Sequence, residues 1–441
     1  MSDTKNAPGL VARSNAITIL NQVLSSRHGL EEVIAASKPY NAMEQRDRAF
    51  VRLLVASTFR RLGQIDALLR TYLKRPLPQK ARAVRDILRI GVAQIILLET
   101  PAHAVVDTSV TLCEQTRNPG QKGLVNAVLR RIAKEGPEKF AELDAALLNT
   151  PKWLWESWQN TYGDETCRLI AEAHLHEPPL VLTIKSNPDE WAKTLDGEIL
   201  PTGSLKLHSS GMIGSLPGYD DGTWWVQDSA ASLPAKILLA AMDTQQTPRI
   251  LDLCAAPGGK TAQLAASGAT VTAVDRSKKR LAVLRENLKR LNLTATVVTA
   301  DAATYTPPNT IDGILIDAPC TATGTMRRHP DIGRTKRSGD VVRLAELQTK
   351  MLDQAVENLL PGAILVYSVC SLQPEEGPEI VEAVLAKQGD VKRLPINPTE
   401  FGVPKAALTD EGDIRTLPCH LADDGGMDGF YIARLHRPSE R

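Results

Sequence analysis

Residues 249–266 read RILDLCAAPGGKTAQLAA, which is an apolar strand followed by a glycine turn and then by a helical pattern. In open parallel sheets, ligands bind outside the carboxyl ends of the strands, where such strand-to-helix turns lie. Gly258 and Gly259 have no side chain, so the backbone at this turn can approach a ligand closely. The segment therefore predicts an α/β domain with a ligand site at the glycine turn.

The spacing within this turn narrows the type of ligand. The turn lacks the GxGxxG pattern of dinucleotide-binding domains. Lys260 and Thr261 do not complete a GxxxxGK phosphate-binding loop, because Cys254 stands where the first glycine is required. A ligand bound through a nucleotide pyrophosphate is therefore disfavoured.

Further apolar runs follow the glycine turn and alternate with helical patterns. The strand-like runs from 249 onward are RILDLC, ATVTAVD, TATVVTAD, DGILIDA and AILVYSVC. Continuous apolar strands that alternate with helices are typical of a parallel sheet covered by helices on both faces. The last run, GFYIARL at 429–435, follows a glycine-rich turn and is predicted to add a strand at the edge of the sheet.

Three of the predicted strands end in an aspartate, namely Asp275, Asp301 and Asp317. A carboxylate at the end of the second strand is placed to accept hydrogen bonds from ribose hydroxyls. Three acids around one glycine turn would repel phosphates and attract a cationic cofactor such as S-adenosylmethionine. The alternative is that each aspartate only caps the helix that follows its strand.

Two cysteines lie at the carboxyl ends of predicted strands, Cys320 in DGILIDAPC and Cys370 in AILVYSVC. A single cysteine in such a place is usually a small buried apolar residue. Two of them at one ligand-binding edge favour chemistry, because a thiolate that adds to C6 of cytosine makes C5 reactive toward a methyl donor. Asp317 is then placed to hydrogen-bond the cytosine edge. The residues alone leave open which cysteine attacks.

Methylation of an exocyclic amino group is the competing reaction at such an edge. That reaction needs no covalent intermediate and typically uses an Asp or Asn followed by two prolines and an aromatic residue. The corresponding tetrad here is DAPC, at residues 317–320, which has no aromatic residue. The cysteine therefore favours carbon over nitrogen as the methyl acceptor.

The amino-terminal part of the chain has a different character. Between residues 12 and 133, apolar residues recur at steps of three and four, which predicts a compact all-α domain. Residues 1–140 contain 22 Lys and Arg against 12 Asp and Glu, whereas residues 141–441 contain 30 against 39. A basic domain suits a phosphate backbone, although arginine-rich helices also occur for solubility alone.

Length and composition set the remaining expectations. A chain of 441 residues exceeds one hydrophobic core, so we expect an all-α domain at 1–140, a small α+β connector at 141–245 and the α/β domain at 246–441. The sequence has no signal-peptide pattern, no apolar run of membrane-spanning length and no metal-ligand spacing among its six cysteines. We therefore expect a cytoplasmic protein that uses neither a membrane nor a metal.

These motifs together resemble the RNA 5-methylcytosine methyltransferase family, and within it the bacterial enzymes that act on 16S ribosomal RNA. The resemblance covers nearly the whole chain. The segments that carry it are LDLCAAPGGKT, VDRSKKRLAVLRENLKRL, DAPCTATGTMRRHPDI and YSVCSLQPEE. Val369 departs from the family's usual Thr-Cys-Ser pattern and leaves the thiol in place.

The resemblance implies a role for each candidate residue. Cys370 matches the nucleophile, and Cys320 matches the cysteine assigned to product release, whereas DNA cytosine-C5 methyltransferases use a Pro-Cys cysteine for attack. S-adenosylmethionine is held by the glycine-turn segment and by the three strand-end acids. These cofactor residues are Cys254, Ala255, Ala256, Pro257, Gly258, Gly259, Lys260, Asp275, Asp301 and Asp317.

The resemblance also implies the domain types and the partner. Residues 1–140 are similar to the NusB helical RNA-binding fold, and residues 246–441 to a Rossmann-like methyltransferase domain. The implied substrate is 16S ribosomal RNA that is not yet part of the assembled subunit, and the implied state is a monomer. A non-catalytic RNA-binding assembly factor is the alternative function, in which the NusB-like domain alone is the working part.

Overall fold

The computed structural model of the chain describes residues 9–209, 211–242 and 246–439. These residues form two compact units. The first unit contains the described residues up to 176 together with residues 326–337, and the second contains the described remainder. The three-domain division at residues 140 and 245 stays a prediction. Residues 1–8, on which the expectation about a signal peptide partly rests, lie outside the described residues.

The first unit is helical, as the periodicity predicts. In chain order its helices are α1 (Leu10–Ser26), α2 (Leu30–Ala36), α3 (Lys38–Asn41), α4 (Gln45–Arg60), α5 (Leu62–Tyr72), α6 (Arg82–Val92), α7 (Ala102–Glu114), α8 (Lys122–Ala141), α9 (Ala145–Asn149) and α10 (Lys152–Ala173). A π-helical turn at Ala93–Leu97 extends α6. One continuous apolar core is lined by α1 and α4–α8, with buried residues such as Ile19, Leu54 and Leu88.

Residues 326–337 pack within this helical unit although they follow the Cys320 motif in the chain. Asp331 Oδ2 accepts a hydrogen bond from the backbone N–H of Leu30 at 2.9 Å, so it caps the first turn of α2. Arg60 donates to the carbonyl of Arg327 at 2.8 Å. The segment also contains the short helix α15 (Ile332–Thr335).

The second unit contains a small sheet and a large sheet. Its helices are α11 (Pro188–Thr194), α12 (Ser229–Leu239), α13 (Gly259–Ala266), α14 (Lys278–Arg290), α16 (Ser338–Glu357) and α17 (Pro378–Lys387). The small antiparallel sheet contains β1 (Val181–Ile184), β2 (Gly197–Ile199), β3 (Leu205–Leu207) and β4 (Trp224–Val226) in the order β2-β3-β1-β4. This arrangement fits the α+β character expected of the connector.

The large sheet confirms the predicted parallel strands. It contains β5 (Arg249–Leu253), β6 (Thr270–Asp275), β7 (Thr296–Thr299), β8 (Gly313–Asp317), β9 (Ile364–Val369), β10 (Lys392–Arg393), β11 (Ile414–Thr416) and β12 (Phe430–His436). The order is β10-β12-β9-β8-β5-β6-β7, with β11 also paired to β12, and β5 to β9 are mutually parallel. The predicted edge position of GFYIARL is wrong, because β12 lies between β9 and the two-residue strand β10.

Helices cover both faces of this sheet. On one face, Leu251 and Leu253 of β5 pack in a core cluster with Ala355 and Val356 of α16. On the other face, Ile250 belongs to the cluster formed with α12 and α13. The apolar runs are continuous because both sides of each central strand are buried, and this alternation leaves the strand ends as the places for polar chemistry.

The described residues lack two features, a membrane-spanning helix and a cluster of metal-binding side chains. No helix among them is long and apolar enough to cross a bilayer. No group of three or more His, Cys, Asp and Glu side chains in the same residues is arranged to hold a metal ion.

Two glycines near the starts of helices, Gly63 in α5 and Gly123 in α8, allow a test of how closely α5 packs against α9. A Cβ at Gly63 would lie 1.7 Å from the Leu148 carbonyl oxygen, whereas one at Gly123 of α8 would meet nothing within 4 Å. We predict that Gly63→Ala lowers stability by about 1–3 kcal/mol through overpacking. Gly123→Ala should instead be neutral or stabilising by up to about 1 kcal/mol, because alanine favours the helix. Urea denaturation followed by circular dichroism measures both, and equal midpoints for the two variants would contradict the packing.

Candidate functional site

The glycine turn follows β5, and its backbone conformation favours glycine at position 258. Cys254 and Gly258 have φ angles of +63° and +108°, and the second of these strongly favours glycine. Gly259 begins α13. Burial raises the pKa of the Cys254 thiol to about 12, and its sulfur lies 3.9 Å from the sulfur of Met351. The Cys254 thiol therefore keeps its proton at neutral pH, so it lines the site as an uncharged side chain and is not a reactive thiol.

Asp275 ties the end of β6 to this turn. Its carboxylate accepts hydrogen bonds from the backbone N–H of Ala256 at 3.3 Å and of Ser277 at 2.8 Å. Arg280 lies 3.3 Å from the same carboxylate and also donates to the carbonyl of Ala256. The predicted ribose acceptor thus lies beside the turn, and Arg280 offsets its charge.

Asp301 lies farther out than the other two acids. It follows β7, which is the edge strand and is separated from β5 by β6. Its carboxylate is exposed and accepts the backbone N–H of Ala303 at 3.0 Å. The hydrogen bond is a local turn contact, and the described residues between β7 and β8 form no helix, so the helix-capping alternative does not describe Asp301.

Asp317 is held by two side chains at the end of β8. Lys260 Nζ lies 2.7 Å from Asp317 Oδ2, and Ser368 donates to Oδ1 at 3.3 Å. The Lys260 side chain is 9% exposed, and its ammonium group lies 5.3 Å from the centre of the Phe430 ring. The negative charge expected at this strand end is therefore already paired with a buried cation.

Asp252 is a buried acid that the sequence analysis did not single out. It lies in the middle of β5 and accepts a hydrogen bond from the Thr261 hydroxyl at 2.6 Å. Burial raises the pKa of its carboxyl to about 7, and its other oxygen has no partner among the described residues. An acid inside the otherwise apolar run RILDL was the signal that could have identified it.

The two cysteines meet at the carboxyl ends of β8 and β9. Their sulfur atoms are 3.4 Å apart, and both residues are partly exposed. The parallel pairing sets Asp317 opposite Ser368, and the Gly324 N–H donates to the Cys370 carbonyl at 2.9 Å. The structure thus brings together the two predicted cysteines with Asp317.

The environment distinguishes the two thiols. The hydrogen bond to Cys370, burial and the nearby charge of Glu376 all raise the pKa of the Cys320 thiol well above its usual range. A thiolate, and not a thiol, is the nucleophile in cysteine chemistry. Cys320 is therefore better suited to donate a hydrogen bond as a thiol than to attack as a thiolate.

Glu376 is the second functional candidate that the sequence analysis missed. It lies in the quoted segment YSVCSLQPEE, and its buried carboxylate accepts hydrogen bonds from the residues that follow both cysteines. Burial raises the pKa of this carboxyl, while the hydrogen bonds from Ser371 and Thr321 oppose that shift. Glutamates after a strand are common in helix starts, so the sequence contained no signal for this role.

Comparison with known proteins gives a family match for two parts of the chain. Residues 237–436 match the family described as 16S rRNA methyltransferase RsmB/F, and residues 10–134 match the NusB family. The ribosomal RNA small subunit methyltransferase B of Cronobacter sakazakii is 33% identical, over 96% of this chain and 98% of the relative. The protein of that name from Pseudomonas syringae pv. tomato is 34% identical, over 96% of each chain.

A solved structure extends the likeness to the whole fold. The crystal structure of PH0851 covers 98% of this chain and 99% of its own, with a TM-score of 0.74 and 21% sequence identity. The predicted fold class is confirmed, with an all-α NusB-like part, a small α+β part and an α/β Rossmann-like methyltransferase part. Because the match extends over nearly the full length of relatives with one shared name, the chain belongs to the 16S rRNA methyltransferase RsmB/F family.

Proposed function

We propose that the chain transfers a methyl group from S-adenosylmethionine to C5 of a cytosine in 16S ribosomal RNA, through a covalent bond between Cys370 Sγ and C6 of the base. The observation that carries this proposal is the 3.4 Å contact between the Cys320 and Cys370 sulfurs at the carboxyl ends of adjacent parallel strands. Methylation at nitrogen or oxygen has no need of two thiols in contact.

The chemistry requires a nucleophile on the enzyme because C5 of cytosine is unreactive while the ring is aromatic. Attack of the Cys370 thiolate forms a bond between sulfur and C6 and makes C5 nucleophilic. C5 then accepts the methyl group, which S-adenosylmethionine supplies. Loss of the C5 proton to solvent water lets the electron pair of the C5–H bond re-form the ring double bond, while the pair of the bond between sulfur and C6 returns to Cys370.

The assignment of Cys370 as nucleophile follows the family resemblance, and the buried Glu376 carboxylate, which helps to raise the pKa of the Cys320 thiol, supports it. A thiol that keeps its proton is a hydrogen-bond donor to the neighbouring sulfur, and at 3.4 Å it can stabilise the negative charge that Cys370 carries before attack and after release. Cys320 therefore assists release, and Cys370 attacks. This division agrees with the roles that the family resemblance implies.

Asp317 is suited to orient the base. Lys260 and Ser368 hold its carboxylate at the end of β8, three residues before Cys320. A carboxylate accepts hydrogen bonds, and the exocyclic amino group of cytosine donates them. The target base must leave its stack in the RNA to enter this pocket, since neither C5 nor C6 is accessible to a thiol inside a helix.

The residues beside the glycine turn fit the proposed cofactor. The one lysine of the turn, Lys260, is paired with Asp317, and Asp275 offers a carboxylate next to the backbone N–H of Ala256 in the turn. We propose that S-adenosylmethionine is held by residues 254–260 together with Asp275, Asp301 and Asp317. The helical unit, which includes the region matched to the NusB family, is proposed to bind the RNA before subunit assembly, with the enzyme acting as a monomer.

Trapping of a covalent complex tests the roles of the two cysteines. We predict that Cys320→Ala forms an RNA adduct that survives denaturing electrophoresis, because the bond to Cys370 forms and is not released. Cys370→Ala should form no adduct and transfer no methyl group. Cys419→Ala, which removes a partly exposed thiol elsewhere in the same unit, is the control and should behave as the wild type. Normal methylation by Cys370→Ala would show that Cys370 is not the nucleophile.

The order of alkylation tests the electrostatic basis of that assignment without RNA. The raised pKa of Cys320 leaves it a smaller thiolate fraction than an ordinary cysteine at any given pH, so its labelling should require higher pH. We predict that iodoacetamide between about pH 7 and 9 modifies Cys370 first, as read by peptide mass spectrometry. Faster labelling of Cys320 across this range would contradict the proposed roles.

Mapping 5-methylcytosine in 16S RNA tests the function itself. We predict that cells lacking the protein lose the modification at a cytosine of 16S RNA and that the wild-type gene restores it, whereas Cys370→Ala does not. The NusB match favours one alternative, an RNA-binding assembly factor without catalysis. An unchanged modification map, together with RNA binding and no binding of S-adenosylmethionine at micromolar concentration, would favour that alternative.

A further inference from the structure

Glu376 occupies an unusual place beside the cysteine pair. It ends a short 3-10 turn, Pro374–Glu376, that follows β9, and its side chain is fully buried. Burying a carboxylate costs free energy unless hydrogen bonds compensate for the lost water. The hydrogen-bond donors around the Glu376 carboxylate therefore indicate which parts of the chain it holds in place.

The carboxylate receives hydrogen bonds from the residue that follows each cysteine. Thr321, after Cys320, donates its backbone N–H to Oε1 at 2.8 Å and its hydroxyl to Oε2. Ser371, after Cys370, donates its hydroxyl to Oε2 at 2.5 Å. One buried side chain thus links two loops that are 50 residues apart in the sequence.

A third residue hydrogen-bonds both to the Glu376 carboxylate and to the loop that contains Cys320. Gln348 of α16 donates to Glu376 Oε1 at 3.3 Å and to the carbonyl of Pro319 at 2.8 Å. The residues immediately before and after Cys320 are therefore both anchored around the same carboxylate. Glu376 acts on the two cysteines indirectly, because its carboxylate binds the main chain and hydroxyl groups of their loops and not the sulfur atoms.

We propose that Glu376 is a positioning residue that holds the sulfurs of Cys320 and Cys370 in contact, by accepting hydrogen bonds from Thr321 and Ser371. This inference rests on the proposed two-cysteine function. A displacement of about 1 Å between reacting groups can slow catalysis roughly 100-fold, so loss of such a link acts on rate more than on binding. The Glu376 charge also helps Cys320 keep its proton.

The titratable groups that interact with Cys320 include two other residues at the cysteine pair and one on β9. Cys370 and Glu376 both raise the pKa of the Cys320 thiol, and Tyr367 of β9 lies close enough to interact with it. Tyr367 donates its hydroxyl to the backbone carbonyl of Glu376 at 2.9 Å. Neutralising Glu376 therefore removes one of the two negative neighbours that oppose ionisation of Cys320.

The test compares Glu376→Gln with Glu375→Gln in the full-length protein. Glu375 is the exposed neighbour in the same turn, so its substitution makes the same change of charge without touching the network. We expect Glu376→Gln to slow single-turnover methylation of 16S RNA roughly 10- to 100-fold while the dissociation constant for S-adenosylmethionine stays within about twofold. We also expect iodoacetamide labelling of Cys320 to shift to lower pH. Glu375→Gln should match the wild type in all three measurements.

Two milder substitutions serve if Glu376→Gln folds poorly. Thr321→Val and Ser371→Ala each remove one hydroxyl donor and leave the carboxylate in place, and each should give a smaller loss of rate with unchanged cofactor binding. Equal methylation rates and equal labelling profiles for Glu376→Gln and Glu375→Gln would overturn the proposal. If the wild type itself failed to methylate cytosine, the proposed function would be wrong, while the labelling profile would still report whether Glu376 controls the cysteine pair.

Discussion

The parallel pairing of β8 with β9 is the constraint on which the proposed chemistry depends. It sets Asp317 opposite Ser368, and the two cysteines follow these residues at distances of three and two positions. Parallel strands end at the same edge of a sheet, so both thiols and the carboxylate emerge together. An antiparallel pairing of the same two strands would place Cys320 and Cys370 at opposite edges. The parallel direction of these two neighbouring strands is therefore part of the proposed catalytic arrangement.

Strand pairing alone does not bring two sulfur atoms to 3.4 Å, because both cysteines lie in loops beyond the strands. The loops are fixed by buried polar groups, and a buried polar group without a partner costs free energy. Two acids near this edge have their charge compensated, because Asp317 is paired with Lys260 and Glu376 is surrounded by hydrogen-bond donors. Asp252 of β5 has one hydroxyl partner and one oxygen without a partner among the described residues, and burial raises the pKa of its carboxyl to about 7.

The features that sequence predicted are those set by local pattern. The apolar runs indicated five parallel strands, and the cysteines and aspartates were placed correctly at the ends because a strand end is visible in the sequence. The features that it missed depend on partners far away in the chain. Thr321 and Glu376 are separated by 55 residues and Lys260 and Asp317 by 57. Asp317 therefore adds less negative charge to the site than an unpaired strand-end acid would, and its pairing with Lys260 is not visible in the sequence.

The division of charge between the two units also depends on a feature that local pattern does not reveal. Residues 1–176 contain 24 Lys and Arg against 18 Asp and Glu, so they are less basic than residues 1–140 alone. Residues 326–337, which pack within the helical unit, add five basic residues and one acid, Asp331. That acid is used as the cap of α2. The segment therefore restores the positive charge of the helical unit to the level first counted for residues 1–140. Arg327 of this segment is buried and Arg337 is exposed, so only part of the added charge can face a phosphate backbone, whose attraction depends on cations at the surface.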